Sequence, residues 1–312
     1  MIEVKNLSKS YGNVEAVRDV SFSVGADQVL GFLGPNGAGK TTIMKILTGY
    51  HFPSGGSALV DGISVEDDPV EVKKRIGYLP ENVPLYGDFT VDEYLAFAAD
   101  ARLIPRGERK KRIKACLEAC ALADWRSRKI ETLSKGYRQR VGLGQAILHD
   151  PPILILDEPT NGLDPNQIIE IRSLIKELGR RKTVILSTHI LPEVEAVCGR
   201  VLILNEGRIA AQGTAEEIAA TMKGGDTWEL ILKGARAETI KAKLPLLGLS
   251  AASSENIEDG TVYLSFFVPA GSRKDITSGE RIFDWAVACG LKILGMNRKK
   301  LSLEDIFVKL TA

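Results

Sequence analysis

The most constraining feature of this sequence is the run Gly34-Pro-Asn-Gly-Ala-Gly39-Lys40-Thr41, which fits the pattern G-x-x-x-x-G-K-[ST]. Apolar residues 29–33 before it predict a buried strand, and residues 43–47 after it predict an apolar helix. In that context the glycines let successive backbone N–H groups point at phosphate oxygens, and the helix adds the positive end of its dipole. We therefore expect a phosphate cradle made of Gly34, Pro35, Asn36, Gly37, Ala38, Gly39, Lys40, Thr41 and Thr42.

Two side chains of the cradle carry specific chemistry. Lys40 can reach the β- and γ-phosphates of a nucleotide, and the Thr41 hydroxyl can coordinate Mg²⁺. The cradle therefore predicts binding of a nucleoside triphosphate, but it does not by itself define what the chain does.

A second pattern supplies carboxylates. The apolar strand residues 153–156 are followed at once by Asp157, Glu158 and a proline. A carboxylate at the end of such a strand can hold Mg²⁺, which is the role we assign to Asp157. Glu158 is then placed to polarise the water that attacks the γ-phosphate. His189 follows the next predicted strand, residues 183–187, and there it can contact the γ-phosphate.

Composition limits the class of protein. The 312 residues suggest about two domains, and 41 Lys+Arg against 40 Asp+Glu leave a formal charge of +1. That balance argues against a nucleic-acid binder that works through bulk charge. No stretch approaches the roughly 20 apolar residues of a spanning helix, and the first residues do not resemble a signal peptide. We expect a soluble, non-secreted protein.

The pattern along the chain predicts two unequal domains. Short strands in residues 1–25 precede strands that alternate with helices, which indicates a mainly parallel sheet, and residues 90–122 are predicted to be helical. Composition changes near residues 223–226. Beyond that point we expect a small α+β domain with a polar loop at 253–260, a strand over 291–294 and a terminal helix capped by Ser302.

The decisive segment is Leu133-Ser134-Lys135-Gly136-Tyr137-Arg138-Gln139-Arg140, which resembles the signature motif of ABC transporter ATPases. The resemblance implies an α/β fold, a P-loop NTPase (ABC ATPase) domain with antiparallel β and helical subdomains. It places that domain over residues 1–222, with the helical subdomain at about 82–150, and leaves 227–312 as an accessory domain. It also implies that Ser134 and Gly136 contact ATP held by a second subunit, in a head-to-tail dimer.

Further segments resemble other elements of this family. Tyr11 is similar to the aromatic residue that stacks on adenine, with Val17 nearby, and Asp164 lies in a segment like the loop through which subunits communicate. Residues 76–81 are similar to the segment that senses Mg²⁺ and faces the membrane subunit. Here Glu81 replaces the usual Gln, so a carboxylate rather than an amide would contact the metal. In the signature, Lys135 and Tyr137 replace the more common Gly and Gln.

The signature, residues 79–86 and the ending 301–310 resemble a narrower branch, the ATPases of gliding-motility, drug- and antibiotic-export systems that pair with type-2 ABC permeases. The resemblance implies ATP and Mg²⁺ as cofactors, and a homodimer bound to an integral-membrane permease at the cytoplasmic face of the membrane. No nucleic-acid partner is expected. The C-terminal domain is regulatory or dimer-supporting in that branch, and a stabilising packing domain is an equal alternative.

Two rival functions are considered. A soluble ABC ATPase that acts on nucleic acid or ribosomes is disfavoured by the single motif set and by the lack of a long coiled-coil insertion between Lys40 and Asp157. A non-catalytic regulator on the same fold is disfavoured by the presence of Lys40, Asp157, Glu158 and His189.

Overall fold

The structure is a computed structural model that describes residues 1–221, 226–247, 253–257, 260–268, 279–299 and 303–311. It divides into two compact units, Met1–Thr214 and Ala215–Leu310. The first unit ends at Thr214, and helix Ala215–Thr221 groups with the second unit. The proposed helix cap Ser302 lies outside the described residues.

The first unit contains strands and helices in the following chain order: β1 (Ile2–Tyr11), β2 (Val14–Val24), β3 (Val29–Leu33), α1 (Lys40–Leu47), β4 (Gly55–Val60), β5 (Ile63–Ser64), α2 (Pro69–Arg75), β6 (Ile76–Leu79), α3 (Val91–Ala101), α4 (Arg106–Ala119), α5 (Lys135–Ile147), β7 (Ile153–Asp157), α6 (Pro165–Leu178), β8 (Thr183–Thr188), α7 (Leu191–Val197), β9 (Arg200–Asn205) and β10 (Arg208–Gly213). Strands alternate with helices from β3 onward, as the sequence predicts.

A largely parallel sheet organises this unit. Its strand order is β10-β9-β3-β8-β7-β6, and only the β9–β10 hairpin pairs antiparallel within it. Every residue of β7 and β8 is buried, which is why both read as continuous apolar runs rather than as alternating patterns. The carboxyl ends of β3, β7 and β8 therefore meet at one edge of the sheet, where an α/β fold places its ligands.

A second sheet and a helical region complete the unit. The antiparallel strands have the order β2-β1-β4-β5, which accounts for the short strands expected near the start of the chain. Helices α3, α4 and α5 all lie within residues 82–150, and their apolar faces share one core. Helix α3 begins at a capping box, in which Thr90 and Glu93 bind each other's backbone N–H groups. The fold is thus the predicted α/β domain with antiparallel β and helical parts.

The second unit is the expected α+β domain. It contains α8 (Ala215–Thr221), β11 (Asp226–Lys233), α9 (Ala237–Lys243), β12 (Ser253–Ile257), β13 (Thr261–Val268), α10 (Gly279–Ala288), β14 (Lys292–Lys299) and α11 (Leu303–Thr311). The strands form an antiparallel sheet in the order β12-β13-β11-β14. One face of that sheet packs against α9 and α10 around Trp228, Phe266 and Trp285.

Two sequence expectations are wrong in this unit. The polar loop predicted at 253–260 contains β12, which pairs along its whole length with β13. This edge strand buries little side-chain surface, so it lacks the apolar alternation that marks a strand, and backbone pairing alone forms it. Strand β14 runs over 292–299 rather than 291–294, because residues 295–299 pair with β11, and the side chains of Met296, Asn297 and Arg298 are exposed.

None of the helices among the described residues is both long enough and apolar enough to cross a membrane.

A glycine in β6 tests how closely the helical region packs on the sheet. A Cβ on Gly77 would stand 2.1 Å from the backbone carbonyl oxygen of Ala146 on α5. We expect Gly77→Ala to lower the free energy of unfolding by about 1–3 kcal/mol, because backbone atoms must move apart. Urea unfolding measures this. Gly107→Ala on α4 is the control, since a Cβ there meets open space and alanine favours a helix. Equal stability of the two variants would contradict the close approach.

Candidate active site

The predicted cradle lies between β3 and α1, at the sheet edge where β7 and β8 also end. Gly37 and Gly39 both have positive φ values, 83° and 101°, that side-chain-bearing residues rarely adopt. A Cβ on Gly39 would also stand 2.6 Å from the carbonyl oxygen of Ala16. The loop can therefore take this path only with glycine at position 39, and α1 follows from Lys40.

The cradle opens into a cavity of about 710 Å³. Residues from distant parts of the sequence line it: Tyr11, Ala16, Asn36, Gly37, Ala38, Gly39, Lys40, Thr41, Thr42, Glu81, Glu158, Asn161 and His189. The fold thus brings together the predicted loop, the aromatic residue, the carboxylates of residues 81 and 158 and the histidine. Gly34 and Pro35 are not among the lining residues, and their carbonyl groups bind Lys40 instead.

Lys40 is the central cation of this cavity. Its ammonium group donates to the carbonyl oxygen of Gly34 at 2.6 Å and lies 3.7 Å from Glu158 Oε1, and both side chains are more than nine-tenths buried. Burial lowers the pKa of Lys40, and the negative charges of Glu158, Asp157 and Glu81 act in the opposite direction. A buried cation held among carboxylates is suited to binding the anionic phosphates of a nucleotide.

Asp157 ends β7 with one satisfied and one unsatisfied oxygen. Its Oδ1 accepts hydrogen bonds from the Ser187 hydroxyl at 2.5 Å and from the Thr41 hydroxyl at 3.3 Å. Its Oδ2 is buried without a hydrogen-bond partner in the described part of the chain. Burial raises the pKa of Asp157, whereas the two hydroxyl hydrogen bonds act against that rise. A buried carboxylate oxygen without a donor, beside a threonine hydroxyl, is the kind of hard oxygen ligand that Mg²⁺ takes.

Glu158 and His189 form a pair at the wall of the cavity. His189 Nδ1 lies 3.1 Å from Glu158 Oε2 and 3.2 Å from Oε1. The Glu158 backbone has a left-handed φ of 48°, and its N–H donates to the Ser187 hydroxyl at 3.0 Å. The histidine ring is 46 % exposed, so it can meet a ligand in the cavity, while the carboxylate is buried. This arrangement can accept a proton from a water molecule and orient the group that attacks.

Glu81 extends the acidic side of the cavity. Its Oε1 accepts a hydrogen bond from Asn161 Nδ2 at 3.1 Å. This bond ties the segment after β6 to the segment after β7, and it puts a carboxylate where the resemblance implies an amide. Glu81 lines the same cavity as Lys40 and Thr41.

Several other predicted site residues, Asp157 among them, are also absent from the cavity lining. Val17 does not line the cavity. It is 1 % exposed and lies in the core beneath Gly39, because β2 turns alternate side chains to opposite faces and places Ala16 at the cavity. Ser134, Gly136 and Asp164 also lie away from it: Ser134 caps α5, Asp164 caps α6, and a Cβ on Gly136 would stand 2.2 Å from Gln167 Oε1.

Sequence reasoning missed Ser187, Ala16 and Asn161 as site residues. Ser187 is fully buried, and its hydroxyl joins Asp157 to the Glu158 backbone. Its signal was present in the sequence, since a serine that ends an apolar strand is out of place in a core unless its hydroxyl has a partner. The partner could be named only from the register, in which Asp157 lies opposite Ser187.

Comparison with known proteins identifies this arrangement. The family profile described as ABC transporter matches residues 17–161. The linearmycin resistance ATP-binding protein LnrL of Bacillus subtilis is 31 % identical over 314 residues, which cover 100 % of this chain and 98 % of the relative. This chain belongs to the ABC transporter ATP-binding family. The Nod factor export ATP-binding protein I of Cupriavidus pinatubonensis is 30 % identical over 100 % of this chain and 90 % of its own length.

Solved structures agree with this membership. A structure described as the ATP binding subunit of an ABC transporter has a TM-score of 0.66 and 34 % identity, and it covers 71 % of this chain and 93 % of its own. The cassette MJ0796, in a dimeric post-hydrolysis state with ADP and Pi, has a TM-score of 0.63 and 28 % identity. The match covers 69 % of this chain and 98 % of the MJ0796 chain. The chain is accordingly an ABC-type ATP hydrolase with a P-loop NTPase fold, and it binds ATP.

Asp157 Oδ2, which is buried without a hydrogen-bond partner in the described part of the chain, leads to a prediction about stability. An acid whose pKa is raised in the folded state lowers the free energy of unfolding as pH rises from its unfolded-state pKa to its folded-state pKa, because the unfolded chain ionises first. We expect Asp157→Asn to increase the free energy of unfolding of the nucleotide-free protein at pH 7 by on the order of 1 kcal/mol. Thermal unfolding with and without Mg²⁺ and ATP measures it, and the variant should lose most of the stabilisation by Mg²⁺.

The matched control is Asp150→Asn. A hydrogen bond from Lys182 lowers the pKa of Asp150, so this exposed carboxylate stabilises the fold above its unfolded pKa and its loss should have the opposite sign. Destabilisation by Asp157→Asn, or full retention of the Mg²⁺ effect, would contradict the assigned role.

Proposed function

We propose that this ATPase works as a head-to-tail homodimer that powers a separate permease of the type-2 ABC class at the cytoplasmic face of the membrane, as an exporter. The proposal of a dimer rests on one observation: two groups of predicted ATP-binding residues lie apart within a single chain. Lys40, Glu158 and His189 line one cavity, whereas Ser134 and Gly136 lie at the start of α5 and do not reach it. Groups at the N-terminus of a helix can bind phosphate, so a second copy can supply them to that cavity.

The chemistry follows from the residues at the cavity. The cradle amides and Lys40 bind the phosphates of ATP, and Tyr11, which lines the same cavity, offers an aromatic face for the adenine ring. Thr41, Asp157 and Glu81 would hold Mg²⁺, which neutralises charge on the phosphates. Glu158 accepts the proton of the attacking water, and His189 orients the water and the γ-phosphate.

The acidic side of the site supports a coupling role for Glu81. The Glu81–Asn161 hydrogen bond connects the segment after β6 with the segment that leads to Asp164. We propose that this connection reports the state of the nucleotide to the permease and to the second subunit. A carboxylate in place of an amide keeps the oxygen that accepts from Asn161 and adds a negative charge near the metal ligands.

Support for export comes from relatives that align along the whole chain. One is named for linearmycin resistance and another for Nod factor export, and each alignment covers 100 % of this chain. We propose residues 1–222 as the ATPase domain and 227–312 as an accessory domain. The accessory domain either regulates or supports the dimer, or it stabilises the chain by packing.

The role of Glu158 can be tested directly. Glu158→Gln keeps the size of the side chain but cannot accept the proton, so we expect kcat for ATP hydrolysis to fall by at least about 100-fold while ATP binding persists. The bound ATP should then hold two copies together, seen as a dimer by size-exclusion chromatography with light scattering.

Lys40→Ala in the Glu158→Gln background is the control, since loss of the cation from the cradle should abolish the ATP-dependent dimer. Turnover of Glu158→Gln near the unsubstituted rate would show that another group accepts the proton. If Glu158→Gln binds ATP tightly but stays a monomer, the proposed dimer is wrong, and the role of Glu158 is not affected.

The permease can be sought with the same variant. Because Glu158→Gln retains ATP, the tagged protein isolated from detergent-solubilised membranes should carry an integral-membrane protein with several apolar spans. Reconstituted with that protein in vesicles, the unsubstituted ATPase should be stimulated. Recovery with ribosomes or nucleic acid, with no membrane protein and no stimulation, would favour the rival function.

A further inference from the structure

A buried carboxylate lies behind the Glu158–His189 pair and outside the cavity. Glu193 belongs to α7, is only 3 % exposed, and accepts hydrogen bonds from two threonine hydroxyls. Thr188 Oγ1 donates to Glu193 Oε2 at 2.6 Å, and Thr160 Oγ1 donates to Oε1. A carboxylate is almost never buried to this degree without partners, so its position calls for a physical reason.

The two threonines stand next to the reacting pair in the chain. Thr160 follows Glu158 by two residues, and Thr188 directly precedes His189. Thr188 Oγ1 also accepts from the backbone N–H of Ile190 at 3.0 Å, so one hydroxyl fixes the chain on both sides of His189. Glu193 therefore joins the segment that carries the carboxylate to the segment that carries the imidazole.

A cationic side chain also lies close to the Glu193 carboxylate. Arg172 of α6 places Nη2 3.7 Å from Glu193 Oε1, and its side chain is 25 % exposed. Two hydroxyl donors and one guanidinium group satisfy the carboxylate, and together they connect α6, α7 and the ends of β7 and β8. A buried polar group that is satisfied in this way specifies one arrangement of the segments it joins.

The reacting pair needs such a restraint. Glu158 has a left-handed φ of 48°, which is unfavourable for a residue with a side chain and persists only where its surroundings hold it. Ser187 holds the near side, because its hydroxyl accepts the Glu158 N–H. Glu193 accepts a hydrogen bond from Thr160, two residues after Glu158, and its other oxygen accepts one from Thr188, the residue before His189. The Glu193 carboxylate therefore restrains both members of the pair.

We propose that Glu193 is a positioning residue for hydrolysis, which sets the distance and angle between Glu158 and His189 without touching the nucleotide. The proposal rests on the roles assigned above to Glu158 and His189. Because the cradle residues do not contact Glu193, its loss affects turnover and leaves ATP binding intact.

Glu193→Gln tests the proposal with little change of volume. We expect kcat to fall at least about tenfold, since small displacements of catalytic groups cost rate steeply, while KM for ATP stays within about twofold. Glu195→Gln is the matched control, because Glu195 lies on the same helix two residues on and is exposed. It should leave both constants unchanged.

A double-mutant cycle separates positioning from general destabilisation. In a His189→Ala background, Glu193→Gln should reduce kcat much less than it does alone, because the pair it positions is already broken. A purely structural effect would reduce both backgrounds by the same factor. Equal factors, or an unchanged kcat for Glu193→Gln, would overturn the proposal.

A second variant covers the case in which Glu193→Gln does not fold. Thr160→Val keeps the shape and removes one donor to Glu193, and it should show the same fall in kcat, KM within about twofold and the same dependence on His189. If Glu158→Gln and His189→Ala both retain turnover, the assigned roles fail. If they lower turnover sharply but Thr160→Val and Glu193→Gln leave kcat unchanged, only the positioning role fails.

Discussion

The hydroxyl of Ser187 is the interaction on which the active site depends. It donates to the Asp157 carboxylate at 2.5 Å and accepts the backbone N–H of Glu158 at 3.0 Å. The Ser187 hydroxyl reaches both groups because β7 and β8 are parallel neighbours, with Asp157 opposite Ser187. The pairing of two fully buried strands thus aligns Asp157, the proposed metal ligand, Glu158, the proposed proton acceptor, and, two residues after Ser187, the histidine that faces Glu158.

The charged side chains of the site lie at the carboxyl ends of the strands rather than in the core, and the reason is electrostatic. Lys40, Glu158 and Glu81 line a cavity that phosphate and Mg²⁺ can enter, and Asp157 binds the hydroxyl of Thr41, which also lines it. Burial raises the pKa of Asp157 and lowers that of Lys40, which shows that the fold bears an electrostatic cost at both groups. Binding of a metal and an anionic ligand would remove much of that cost, as is expected where function rather than stability has set the residues.

Hydrogen bonds to side chains outside the cavity complete the site. Ser187 lies on one side of Glu158 and Glu193 on the other, and neither contributes an atom to the cavity wall. Rigid strand ends and a satisfied buried carboxylate hold a strained residue, Glu158, in a conformation that an isolated loop would leave. The second unit has its own core around Trp228 and Trp285.

The sequence by itself determined the phosphate cradle, the alternation of strands and helices and the end-of-strand carboxylates, because each depends on local spacing and period. Tertiary structure alone decided that Ala16 rather than Val17 faces the cavity, that β12 forms where a polar loop was expected, and that Ser187 and Glu193 support Glu158. Those outcomes depend on which strands are neighbours and in what register. Register is a long-range property, so residues 30 positions apart meet at one atom only after the chain has folded.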